Sequence, residues 1–175
     1  MQTQLILSAI ATDEPRGLAS LVRAVHDCGC GFREARLVHF GDRVSVVAGV
    51  TGHWNAVAKL EDALARLDGE GGLQIVSSRS TDDDARGEII PYAAEITGAD
   101  RPGVLAQMVR FFSEREISIE DLHATTSRTQ YGDARIGSAH FTVCLPATLS
   151  LATVRGEFMD LCDELNVDGV LAPIR

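Results

Sequence analysis

Asp100-Arg101-Pro102-Gly103-Val104-Leu105-Ala106-Gln107-Met108-Val109-Arg110 restates Asp13-Glu14-Pro15-Arg16-Gly17-Leu18-Ala19-Ser20-Leu21-Val22-Arg23. At an offset of 87 residues, six of these eleven positions are identical: the Asp, the Pro, and the Leu-Ala and Val-Arg pairs. Further on, Gly31-Phe32 lands on Ser118-Ile119, and Glu34 on Asp121. An ungapped match of this density marks a tandem duplication.

Working outward, both copies predict the same order of elements. Leu5 to Ile10 is a short apolar strand, and Asp13 to Gly17 supplies turn residues. Leu18, Leu21, Val22 and Val25 then fall on one helical face. Cys28-Gly29-Cys30-Gly31 stops that helix, because glycine tolerates the left-handed geometry of a C-terminal cap. Strands over 32–40 and 43–50 are joined across Gly41-Asp42, and Thr51 is placed to cap a helix carrying Val57, Leu60, Leu64 and Leu67. A strand over 73–77 closes the unit.

The second copy predicts strands over 89–97, 118–127, 139–145 and 170–174. Its helices carry Val104, Leu105, Met108, Val109 and Phe112, then Val154, Phe158, Leu161 and Leu165. Its hairpin, from Arg128 to Gly137, is longer. Thr81 to Glu88 has no apolar period and reads as a linker between domains 1–80 and 89–175. Each half is therefore βαββαβ, the ferredoxin-like order, and the fold class is α+β. Right-handed crossovers put both helices on one face of an antiparallel sheet.

The 175 residues are 45% hydrophobic and 23% charged, which suits packed domains. With 16 Lys and Arg against 25 Asp and Glu, the net charge of −9 opposes direct nucleic-acid binding. No apolar run reaches membrane-spanning length. Met1-Gln2-Thr3-Gln4 lacks a basic signal-peptide start, so a cytoplasmic location is expected. Cys28, Cys30, Cys144 and Cys162 are too scattered for a disulfide scaffold, and Cys28-Gly29-Cys30 has no second pair with which to hold zinc. No metal and no cofactor are expected.

Chemistry concentrates in the loop after the first strand of the second copy. Pro102 fixes its own φ, and Gly103 allows a close backbone approach or a positive φ. A helix starting there offers unpaired N–H groups and a positive dipole end to a carboxylate, with Asp100 beside it for an ammonium group. A free amino acid carries both charges. The plainer reading is a helix start with Asp100 as N-cap and Pro102 near the first turn, with nothing bound.

A βαββαβ unit with Asp-Arg-Pro-Gly after its first strand resembles the ACT domain, a small module that binds amino acids in metabolic enzymes and regulators. The tandem arrangement more narrowly resembles the glycine cleavage system transcriptional repressor family. Three segments carry that likeness: Cys28 to Leu37, Gly52-His53-Trp54-Asn55-Ala56-Val57, and Leu161-Cys162-Asp163-Glu164-Leu165-Asn166. The resemblance implies a sensor rather than an enzyme, with ligand held where ACT domains pair. Carried over by position, the site comprises Asp100, Arg101, Pro102, Gly103, Val104 and Leu105, with Ser118 and Ile119 from the following strand. A second, weaker site comprises Asp13, Glu14, Arg16, Gly17 and Leu18, with Gly31 and Phe32. In that copy Arg16 stands where the pattern wants glycine, and Glu14 replaces the arginine. Gly31 and Ser118 stand where the family commonly has Asn.

The resemblance thus implies a repressor accessory of amino-acid metabolism, responding to an amino acid such as glycine. It would act through a DNA-binding regulator protein without touching DNA itself. Open sheet edges make a homodimer of tandem units the expected assembly. Three alternatives stand beside this reading. One is an ACT module that has lost its ligand and only binds protein. An acylphosphatase-like enzyme would need an asparagine partner for Arg16 or Arg101, and Asn55 and Asn166 lie at helix ends. An RNA-binding sheet would need stacking aromatics that the third strands lack. Trp54 is expected to pack against the other repeat or to anchor a partner, and His123 and His140 to be structural.

Overall fold

A computed structural model describes residues 2–12, 15–80, 90–128 and 134–174. The chain divides into two compact units, Met1–Asp84 and Ala85–Arg175. The first runs β1 (Gln2–Thr12), α1 (Pro15–Asp27), β2 (Gly31–Phe40), β3 (Arg43–His53), α2 (Trp54–Leu67) and β4 (Gln74–Ser80). The second runs β5 (Ile90–Ala99), α3 (Val104–Ser113), β6 (Ser118–Arg128), β7 (Arg135–Leu145), α4 (Leu151–Leu165) and β8 (Val167–Pro173). Their sheets have orders β2-β3-β1-β4 and β6-β7-β5-β8, every pairing antiparallel. This is the predicted duplicated α+β fold. The expected linker, 81–88, and Tyr131 in the long hairpin lie outside the described residues.

Strand alternation builds each core. In β1, Leu5, Leu7, Ala9 and Ala11 are buried while Ile6, Ser8 and Ile10 face away, the period-2 pattern of a sheet covered on one side. The first core is aliphatic, with Val25, Val57, Leu60 and Leu64 of the helices closing over Leu5, Leu7 and Val50 of the sheet. The second is aromatic: Phe112 sits among Phe111, Phe141 and Phe158 with ring centroids 5.3, 5.4 and 6.1 Å away. Among described residues no buried side-chain nitrogen or oxygen lacks a hydrogen-bond partner.

The local signals place the helices, with two adjustments. The α1 helix begins at Pro15, earlier than its apolar period suggests, since proline suits a first helical position. Gly29 ends it at φ +77°, and the Cys30 N–H closes onto the Val25 carbonyl at 3.0 Å. The α2 helix starts at Trp54, with His53 as N-cap, because Thr51 is still paired in β3, opposite Gln4 and Gly31. At α3 the same left-handed stop falls on Glu116, φ +56°, with the Ile117 N–H donating to the Phe112 carbonyl at 3.0 Å.

Candidate functional site

The β5–α3 turn roofs a hollow of about 180 Å³ in the second unit. The register explains why space exists there. Gly98 on β5 pairs directly with Gly137 on β7, and the neighbouring pair on the same face is Ile96 with Ala139. On β6 the partners of Gly137 and Ala139 are Thr126 and Ala124. Two opposed glycines and two alanines leave room beneath Val104 and Leu105. Gly98 is also fixed by its neighbour, since a Cβ there would lie 2.7 Å from Val167 Cγ1. Gly137 is not so constrained: its Cβ would meet nothing closer than Asp100, at 3.7 Å.

The loop chemistry supports the opening. Gly103 has φ +93° and ψ −14° and is the N-cap of α3, a conformation costly for residues with a Cβ. No side chain caps this helix, whereas Ser150 Oγ caps α4 by accepting from the Thr153 N–H at 3.5 Å. The Asp100 carboxylate is therefore not occupied in capping and lies over Gly137. Its backbone N–H is held by the Arg135 carbonyl at 3.0 Å, which ties the loop to β7. Asp100 and Arg101 are both exposed at the mouth of the hollow. Opposite charges at the rim, above an apolar floor of Ile96, Ala139 and Val167, fit a small zwitterion with a short side chain.

Asp100, Arg101, Val104 and Leu105 thus meet at one hollow, with Gly103 shaping the turn between them. Ser118 and Ile119 do not join them within this unit. They pair with Cys144 and Val143, at the opposite end of β6 from Thr126, roughly 25 Å along the strand. Gly98, Thr126, Gly137 and Ala139 were not among the residues expected from the sequence. Glycine inside a strand pattern is the signal that marks such a close approach.

The first unit has the equivalent hollow, reduced to about 100 Å³. Ala11 stands for Gly98, Val44 for Gly137, Val46 for Ala139, and His39 for Thr126. Leu18, Leu37 and Leu73 line what remains. Gly17 lies in the first turn of α1, where a Cβ would sit 3.4 Å from Ala11 Cβ, and Arg16 is exposed. Asp13 and Glu14 lie outside the described residues. Gly31 and Phe32 open β2 opposite Thr51 and Val50, again at the far end of the sheet from this hollow.

Elsewhere, His140 Nδ1 lies 3.5 Å from Glu95 Oε1 on the face of the second sheet away from its helices, with His123 paired opposite. Trp54 is 59% exposed, with the Arg79 guanidinium 5.5 Å from its ring. Arg79 also donates to both Glu61 carboxylate oxygens, at 2.9 and 2.6 Å. That hydrogen bonding holds the Glu61 carboxyl below its ordinary range despite the opposing effect of burial. Burial, then the neighbouring Cys28, raises the Cys30 thiol. Among the described residues no three His, Cys, Asp or Glu groups are arranged to hold a metal, and no helix is long and apolar enough to cross a membrane.

Models of the ACT domain match residues 92–163 and 3–78. The glycine cleavage system transcriptional repressor of Escherichia coli strain K12 is 26% identical over 168 residues, which cover 96% of this chain and 88% of that protein. The protein of the same name from Shigella flexneri matches equally. A crystal structure of an unknown protein from Galdieria sulphuraria superposes with a TM-score of 0.81 at 16% identity, covering all of both chains. Another, described provisionally as a glycine cleavage system transcriptional repressor, gives 0.74 at 22% identity, covering 100% of this chain and 99% of that one. These two structures share the fold.

Proposed function

Because the chain belongs to the ACT-domain family, as two such domains in tandem, we propose that it is a regulatory protein whose second domain senses a small free amino acid. The carrying observation is the hollow under Asp100–Leu105, open where Gly98 faces Gly137 and narrowed in the first domain. The ammonium group pairs with Asp100, the carboxylate meets Arg101 and the N-terminal turn of α3, and the side chain enters between Gly137 and Ala139. The small volume favours glycine or another amino acid with a short side chain. The first domain serves as a structural partner.

Similarity to glycine cleavage repressors supports an output in transcriptional repression, exerted through a DNA-binding partner protein, from a cytoplasmic homodimer that catalyses no reaction itself. Occupancy acts by binding one state of the protein more tightly than another and so shifting the balance between them.

The test is a thermal-shift screen against the twenty amino acids, run beside Gly137→Val, which copies Val44 into the hollow. Ligand at 100 times its Kd adds about 2.7 kcal/mol to the domain that binds it, several degrees of Tm. The expected result is stabilisation by a small amino acid that Gly137→Val abolishes without loss of fold. Stabilisation that survives in Gly137→Val would move the site elsewhere. No response to any amino acid would leave a ligand-free interaction module.

A further inference from the structure

Cys28-Gly29-Cys30 and the segment from Gly52 to Val57 stand out in the sequence, and the amino-acid hollow of the second domain uses neither. The fold brings them together. The Gly29 turn ends α1, and Cys30 leads into β2 at Gly31. Near the end of β3, Gly52 leaves its side-chain position to the Cys30 sulfur. A Cβ there would lie 2.8 Å from Cys30 Sγ, with Ala56 Cβ and Val57 Cγ2 at 3.4 and 3.5 Å. One sulfur of the pair is thus seated against the junction of β3 and α2.

Both cysteines are free and half-buried, and both lie against the first core, so a small reagent can still reach them. Gly29 has φ +77°. A left-handed turn residue leaves its flanking Cα atoms about 5.5 Å apart, inside the span that disulfides bridge. A Cβ on Gly29 or Gly31 would meet nothing within 4 Å, so the turn around Cys30 has open space to move into. The Cys30 thiol is raised first by burial and then by Cys28, so the two sulfurs are near enough to feel each other's charge.

The second copy shows what the helix stop alone requires. At the offset of 87, Arg115-Glu116-Ile117 makes the same stop, and Ile117, which matches Cys30, is 3% exposed. That position asks for an apolar side chain, and neither cysteine position asks for a thiol.

We propose that Cys28 and Cys30 form a reversible dithiol–disulfide site, through which a small-molecule disulfide alters the first domain. One thiolate attacks a sulfur of the reagent, forming a mixed disulfide and expelling one reagent thiolate. The second cysteine then loses its proton and attacks the protein sulfur of that bond, expelling the other reagent thiolate. Two electrons pass from the cysteines to the reagent, and the two thiol protons end on its two released thiols. With one residue between the cysteines, the closed loop takes little entropy from the unfolded chain, so the bond adds little stability. Closing it draws the Cys30 sulfur from Gly52 and gives up the packing there. The bond is therefore a switch and not a staple, of the labile kind that reducing compartments permit.

The test treats the reduced full-length chain with oxidised glutathione, labels remaining thiols with a maleimide after denaturation, and maps them by mass spectrometry. Cys28 and Cys30 should lose label together, their shared tryptic peptide lighter by two hydrogens, while Cys144 and Cys162 stay labelled. Reduced glutathione should restore both labels. The urea midpoint reported by Trp54 should fall on oxidation and recover on reduction, in the parent and not in Cys28→Ser, whose fold circular dichroism checks. Retained labels at both cysteines, glutathione left on either as the end product, or bonds between chains would overturn the site. A bond that resists reduced glutathione, or a midpoint that holds or that falls equally in Cys28→Ser, would overturn the switch.

Discussion

The two domains are copies that have diverged most where the turn after the first strand meets the sheet. In the second, Gly98 and Gly137 face each other and leave a hollow of about 180 Å³; in the first, Ala11 and Val44 occupy those positions and the hollow shrinks to about 100 Å³. Gly103 turns at φ +93° where Arg16 now lies in α1. The contrast teaches that a duplicated scaffold can keep its topology while one copy gives up space for packing. A few methyl groups decide which copy holds a ligand-sized void.

The sharpest break of the comparison is Phe112→Ala. Phe112 is fully buried at the centre of the aromatic cluster, so its loss should cost the second domain about 3–5 kcal/mol. Trp54, the sole tryptophan, lies in the first domain and reports that domain by fluorescence. Urea unfolding should show an earlier far-UV transition for the second domain and an unmoved Trp54 transition. If both transitions move together, the domains unfold as one unit and cannot be compared as independent copies.

A smaller effect separates the domains by pH. Burial, with a lesser contribution from Asp163, pushes the Cys162 thiol from 9.0 up to about 11. Below pH 9 this thiol is protonated in both folded and unfolded chains. As pH rises from 9 to 11 the unfolded chain ionises first, so stability falls across that window by about 2–3 kcal/mol. Calorimetric scans from pH 8 to 11 should show the second domain losing Tm faster than the first, and Cys162→Ala should flatten that slope. An unchanged slope in the variant would assign the loss to other groups.

The smallest effect strengthens a helix stop. Glu116 holds the left-handed conformation that Gly29 holds in the first copy. Glu116→Gly should stabilise the second domain by about 0.5–1 kcal/mol, raising Tm by a few degrees. A loss instead would mean that the Glu116 side chain makes a contribution larger than its backbone strain.

The fold was legible because its signals are local. The α3 period of Leu105, Met108, Val109 and Phe112, the Gly29 stop and the alternation in β1 each follow from the chain's own repeat length. The hollow was not legible in the same way. Up to the hairpin, residues 87 apart correspond, so Leu37 matches Ala124 and His39 matches Thr126. Beyond it the longer hairpin of the second copy changes the offset to 93, and only strand pairing shows that Val44 stands for Gly137. Ser118 and Ile119 were grouped with Asp100 by family position; within one domain the antiparallel register sends them to the far end of β6. Thr51 looked like a cap because its hydroxyl suits one, but the ladder with β1 and β2 claims it first.

One feature common to both copies bears on a hazard of the architecture. A chain of two repeats with open strands at the rims of its sheets has a ready route to endless stacking into fibres. On the rim strands β2 and β6 the ladder slips between Phe32 and Glu34 and between Ile119 and Asp121, leaving Arg33 and Glu120 as extra residues. Each slip bends the rim and puts a charged residue where a flat incoming strand would need unbroken pairing. The two slips sit 87 residues apart, at the same place in each copy, so both halves carry the same brake on growth.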